Sequence, residues 1–394
     1  MTATQPPPGR VDAAPEAALV LLAARAAVDA SAADGVANVV VRGVDWDAAL
    51  ALAEKNRLTP LLHRLLAGRA EVPETVRATL RAAYAANAGE ALRLSGELRR
   101  LVSALERAGV AALAYKGPAL AVRAYGEVAL RTYSDLDLLV APGDVPRASR
   151  ALAERGYAAA YSFSPAQERL FLSVDGDVPF HHPHTGTLVE LHSRVSSARF
   201  CIRLPTTELM ARARPVPIGG GTVPTLADDD LFLALCAHGA KHRWARLEWL
   251  ASASALAVRT GLDLRALVHR AGEAGGRRTV LLALHLAGTT LGLPLPPPLT
   301  EAAAADPEVP SLADEARSLW FAPAEAEEST AANLRFNYRL CDGRADRARY
   351  AARWLFTPTP EDWSWLRLPT PLAPAYRALR PLRLALRYAP GRGR

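Results

Sequence analysis

The 394-residue chain has little of several things that would announce a function early. Its three cysteines, Cys201, Cys236 and Cys341, lie far apart with no CxxC spacing, which excludes a zinc knuckle and the disulfide framework of a small secreted domain. They read as three free thiols, and free thiols go with a reducing cytoplasm. No apolar run reaches the roughly 18 residues that a membrane span needs. The stretch from Met1 to Arg10 is polar and proline-rich, unlike a signal peptide. A cytoplasmic location without a transmembrane segment is therefore expected. Lysine is almost missing: Lys55, Lys116 and Lys241 stand against 44 arginines. That bias, with heavy alanine use, is the mark of a GC-rich genome and points to no function.

Half of the residues are hydrophobic and 22% are charged, the balance of a globular protein long enough for two or three domains. The net charge of +7 is uneven. From Ala331 to Arg394 there are 13 arginines against Asp342, Asp346, Glu361 and Asp362, a net of +9, so residues 1–330 sum to −2. A basic tail on a near-neutral body is usually a solvated helical face. Nucleic acid is an alternative partner ranked below a nucleotide, and peripheral membrane contact ranks lower still.

Residues 1–12 read as a disordered N-terminus. From 13 to 109 the texture is helical, with Asp45 as an N-cap before the apolar periodicity of Trp46 to Leu66, and a long pattern from Pro73 stopped at Gly109. Residues 110–225 alternate strand and helix and then form two hairpins, around Pro183-His184-Thr185-Gly186 and Gly219-Gly220-Gly221. Residues 226–394 return to helical patterning and end in the basic tail. The expected class is α+β: a small mixed sheet flanked by N- and C-terminal helical regions, predominantly helical overall.

The chemistry concentrates between Tyr115 and Val140. Asp135 and Asp137 open a strand, and alternation sets both carboxylates on one face with Leu136 and Leu138 on the other. Paired carboxylates repel unless a cation lies between them. A divalent metal, Mg²⁺ with Mn²⁺ as its substitute, would hold nucleotide phosphates there. Glu190, on a strand able to pair beside the first, is the candidate third carboxylate. His192 is two residues on and shares its face. Lys116 and Gly117 form a turn before a short helix where phosphate can approach backbone N–H groups. Arg131 offers a bidentate phosphate grip. A zinc site from His182 and His192 across the hairpin, or from His238 and His242 at helical spacing, ranks below ordinary packing.

Lys116-Gly117, Tyr125, Arg131 and Ser134-Asp135-Leu136-Asp137-Leu138-Leu139-Val140 together resemble the uncharacterised nucleotidyltransferase family of the DNA polymerase beta superfamily. Val189-Glu190-Leu191-His192, the stretch Leu235 to Leu250 and the segment Asp362 to Arg383 fit the same resemblance, which runs from about Ala17 to Tyr388. It implies a nucleotidyltransferase fold, with Asp135, Asp137 and Glu190 as catalytic metal ligands. Lys116, Gly117, Arg131, Ser134 and His192 would bind nucleotide. The implied reaction moves a nucleoside monophosphate from an NTP to a hydroxyl or phosphate acceptor and releases pyrophosphate. Transfer of a sugar or other group from an activated nucleotide, and a non-catalytic binding module, are the alternatives. Two departures stand out. Pro118 removes an N–H donor from the phosphate turn, and Ala251-Ser252 replaces an aspartate that relatives carry, which implies a lost polar contact in the helical region.

Overall fold

The computed structural model describes residues 14–161, 165–323, 329–366 and 368–388. The expected disordered segment 1–12 and the last residues of the basic tail lie outside the described residues.

The N-terminal third is built from helices, chiefly Pro15–Arg25, Trp46–Lys55, Thr59–Leu66 and the long Glu74–Arg107. Asp45 does cap its helix, its side chain accepting the Ala48 N–H. The periodic stretch from Trp46 to Leu66 is interrupted at Asn56-Arg57-Leu58. Arg57 N–H donates to Glu54 and Leu58 N–H to Ala53, the two reversed bonds of a Schellman ending, with Arg57 in the left-handed region at φ 54°. Asn56, fully buried, locks this break. Its Nδ2 donates to Leu52 O (3.0 Å) and Trp320 O (2.9 Å), and its Oδ1 accepts Leu247 N–H (3.0 Å).

The central sheet has five strands: β1 Ala112–Ala114, β2 Asp135–Val140, β3 Ala158–Ala159, β4 Asp177–His181 and β5 Leu188–His192, in the order β1-β2-β5-β4-β3. β2 and β5 are parallel and the other pairs antiparallel, so the sheet is mixed and the class α+β. A separate hairpin joins β6 Arg214–Ile218 to β7 Gly221–Thr225. Alternation along β2 divides two cores. Leu136, Leu138 and Val140 pack with Leu94, Leu98 and Leu101 of the long helix and Ala148 of the helix Val145–Glu154, whereas Leu139 joins the core of the C-terminal helices. The carboxylates of β2 share the face of Leu139 and so look toward the helices that follow residue 226.

Among those helices are Asp228–Lys241, Leu247–Thr260 and Arg277–Leu286. The first two meet at a sharp bend where Arg243 and Trp244 both have φ 55°. Trp244 is fully buried over Gly239, where a Cβ would lie 2.6 Å from its ring, so only glycine fits that position.

One expectation is corrected. Cys201 and Cys341 form a disulfide across a separation of 140 residues, leaving Cys236 as the free, buried cysteine. The loop after β5 and the end of the helix Thr330–Leu340 meet only in the folded chain, so sequence spacing carried no sign of the bond. The argument for a reducing compartment, which rested on three free thiols, loses that support. The tail is also not simply a solvated face. In its closing helix Tyr376–Tyr388, Arg380 and Arg383 are buried and both pair with the buried Asp362, Arg380 at 2.6 Å. Among the described residues, no helix is long and apolar enough to cross a membrane.

Candidate active site

Strand register builds the site. Parallel pairing of β2 with β5 sets Asp137 opposite Glu190 and Asp135 opposite Leu188. His192, two residues beyond Glu190, returns to the same face, and its Nε2 lies 3.0 Å from Asp137 Oδ1 and 3.2 Å from Glu190 Oε2. Lys116, just after β1, places Nζ 2.6 Å from Asp137 Oδ1. The Tyr115 ring packs edge-on against His192 and lies beneath the Lys116 ammonium.

These contacts fix the charges. Burial alone would push Asp137 up, but the Lys116 ammonium and the His192 hydrogen bond outweigh it and hold the carboxyl well below the usual range. Glu190 is lowered first by its hydrogen bond from His192. For His192 the order is reversed: burial opposes the charge, and the hydrogen bonds to Asp137 and Glu190 raise its pKa regardless. Asp135, with no such partner among the described residues, is raised by burial and by the charge of Asp137.

A divalent cation fits this donor set. One atom each from Asp137, Glu190 and His192 lie within 4.8 Å of one another, and the group combines two hard carboxylate oxygens with an imidazole. Asp135 is not in that group, although it shares the face; His192, expected to contact nucleotide, is. His182 does not approach His192, because the register of β4 with β5 sets His192 opposite Asp177 while His182 lies at the turn, where its Nδ1 accepts the N–H groups of His184 and Thr185.

Two cavities meet here. One, of about 410 Å³, is bordered by Arg57, Lys116, Asp137, His242, Arg246 and Trp249. The other, of about 510 Å³, is bordered by Lys116, Asp177, Glu190, His192, Lys241 and Glu361. Lys116, Asp135, His238 and His242 border both. The two carboxylates paired across β2 and β5 therefore face different spaces: Asp137 the first, Glu190 the second.

The remaining expected residues fall as follows. Arg131 borders the first cavity, but its guanidinium is buried and held bidentately by Glu248, at 2.6 and 3.4 Å. Glu248 also accepts from Ser252 Oγ, which lies 3.0 Å from the Tyr125 hydroxyl. The polar contact inferred to be lost at Ala251-Ser252 is thus present in another form, built on Glu248 and Ser252. Gly117 is buried at φ 52°, a left-handed conformation that favours glycine, and it borders neither cavity. Pro118 occupies the first turn of the helix Gly117–Tyr125, where its missing N–H breaks no intrahelical bond. Ser134 is exposed and borders neither cavity.

Arg57 at the first cavity belongs to no motif, and Arg246 and Trp249 lie within the Leu235 to Leu250 stretch of the resemblance with no site role expected of them. The histidine pair at helical spacing reads in the sequence as packing. In the structure both rings pack on Trp249, and burial, then the nearby Lys241 and Lys116 ammonium groups, push His242 down to about 3. A family model described as an uncharacterised nucleotidyltransferase matches residues 42–292, a span holding the Schellman break, the sheet and the Trp249 helix. No curated protein matches the chain.

Proposed function

The chain belongs to the uncharacterised nucleotidyltransferase family, and from that premise we propose that it transfers a nucleoside monophosphate from an NTP to an acceptor hydroxyl or phosphate. The observation that carries this reading is the division of the site. Asp137 and Glu190 stand opposite each other on parallel neighbours, one facing a cavity where cations outnumber carboxylates and the other an adjoining cavity where carboxylates outnumber cations. A polyanionic triphosphate suits the first space and an acceptor the second, with the reacting phosphorus at their boundary. The mixed sheet around this pair supports a polymerase beta-like core.

Asp137 and Glu190, with His192 beside them and Asp135 on the same face, would hold the metal. Mg²⁺ is the expected ion, and the imidazole also suits Mn²⁺. When bound, the ion neutralises charge developing on the phosphate oxygens. Lys116 offsets the charge of Asp137 and reaches the boundary of both cavities, where a phosphate oxygen can be its second partner. Glu190, its side chain 38% exposed and its carboxylate kept ionised by His192, can accept the acceptor's hydrogen bond and orient its oxygen toward the α-phosphorus. The new O–P bond forms as the bond to the bridging oxygen of the pyrophosphate breaks. Arg131 acts through Glu248 as a positioning residue, tying the approach to β2 to the helix Leu247–Thr260.

The test is incubation with Mg²⁺, each of the four common NTPs labelled at the α-phosphate, and a small-molecule extract as acceptor source. Pyrophosphate release with α label entering a new product supports the reading. No product with the wild type, or equal product from Asp137→Asn, rejects it.

A further inference from the structure

The first cavity contains a cation that the fold does not use. Arg57 is half-buried on its border, and its guanidinium makes no hydrogen bond or ion pair with any described residue. A chain that engages so many arginines internally (Arg131 on Glu248, Arg278 on Asp306, Arg380 on Asp362) leaves this one facing a cavity.

Its backbone sharpens the point. Arg57 holds the left-handed position of a Schellman ending, which glycine normally takes because a Cβ is unwelcome there. Its neighbour Asn56 is anchored to Trp320 and to the first N–H of the helix Leu247–Thr260, so the strained turn is held against the same helix that carries Trp249. Strain of this kind persists where the surrounding structure over-determines it, and it gathers at ligand sites. Of the charges that act on Arg57, that of Arg246 weighs most, and it repels. Burial and then the Arg246 charge lower its pKa, with Arg131 adding to the effect and Glu248 and Asp135 opposing it. The Arg246 guanidinium lies over the Trp249 ring on the same cavity. An anion bound there would relieve this repulsion.

We propose that Arg57, supplied by the N-terminal helices, forms with Arg246 a subsite for the β- and γ-phosphates of the nucleotide. This rests on the nucleotidyl-transfer reading. It adds that the N-terminal helices take a direct part in recognising the triphosphate and distinguish it from a monophosphate.

The experiment is titration calorimetry on the full chain with Mg²⁺. The probes are inorganic tripolyphosphate, the four common NTPs and the matching monophosphates. Arg57→Gln is expected to weaken tripolyphosphate and NTP binding by about ten-fold or more, the value of a charge-assisted contact. Monophosphate affinity should move by less than about two-fold, since the α-phosphate sits with the carboxylates. Arg57→Lys should restore part of the loss. Arg57→Gly should lose binding like the glutamine variant while melting about 1–2 °C higher, because glycine relieves the left-handed turn. That combination excludes misfolding as the cause. If the wild type binds NTPs and Arg57→Gln binds them equally well, or loses NTP and monophosphate to the same degree, the subsite is overturned and the proposed function stands. If the wild type binds none of the probes, both fall.

Discussion

The two walls of the site are built on opposite principles. The sheet wall places Asp137, Glu190 and His192 by backbone register, and hydrogen bonds with Lys116 lock them into one charge network. The helical wall presents Arg57, Arg246 and Trp249 from helix ends and breaks, where side-chain anchors such as Asn56 and a glycine-dependent bend hold the turns in place. The sheet wall is suited to chemistry, which demands fixed separations, and the helical wall to recognition, which can change with a loop. Substitutions in the first should destroy turnover, and those in the second should change binding or loosen the packing between walls.

The largest effect belongs to the sheet wall. Asp137→Asn is expected to lower transfer by at least about 10³-fold per folded molecule, measured against a near-UV circular dichroism control. A loss confined to KM would move Asp137 into the recognition class and break the distinction.

Next is the joint between the walls. Glu248→Ala leaves the Arg131 guanidinium buried without its partner, and the pair is 7% and 2% exposed, so solvent screening gives little relief. Urea unfolding should show a loss of about 3–5 kcal/mol. A negligible change would mean that this ion pair does not dock the helical wall. Cys201→Ser, which opens the bond to Cys341 between the loop after β5 and the C-terminal helices, should cost about 2–4 kcal/mol in the same assay without a reductant.

The effect that is smallest near neutral pH is pH-dependent and sits on the helical wall. His242 has a folded pKa of about 3, held down by burial and then by Lys241 and Lys116. The unfolded imidazole takes up a proton near pH 6.5 and the folded one does not. The stability contributed by the neutral ring is therefore complete above pH 6.5 and is lost as the pH falls toward 3, by up to about 1 kcal/mol per pH unit. His242→Gln should flatten that slope in acid titrations followed by thermal melting. An unchanged slope would assign the acid sensitivity elsewhere.

The contrast between the walls also explains what the sequence revealed. Period-two alternation set the carboxylates of β2 on one face, and a short run ending in Glu190 and His192 read as a strand, because sheets write their faces into neighbouring residues. The helical wall has no such grammar. Arg57 looks like any arginine after a helix, and its role depends on Asn56 reaching Trp320 and Leu247 across the fold. Arg131 reads as a phosphate ligand, and its partner Glu248, 117 residues away, is a contact that local spacing does not reveal. Gly117 reads as a phosphate turn from its place before a helix, and the left-handed φ of 52° that calls for glycine there is written nowhere in the local spacing. The disulfide escaped for the same reason as Glu248: both are long-range meetings that local spacing does not encode.

Reaction of the α-phosphorus between Asp137 and Glu190 is open to a paired labelling experiment. The protein is given NTP labelled at the α-phosphate in one reaction and at the γ-phosphate in the other, with the same acceptor extract. The expected result is α label in the product, γ label in released pyrophosphate, and neither with Asp137→Asn. Transfer of the γ label to the acceptor, or product formed equally well by Asp137→Asn, would contradict it.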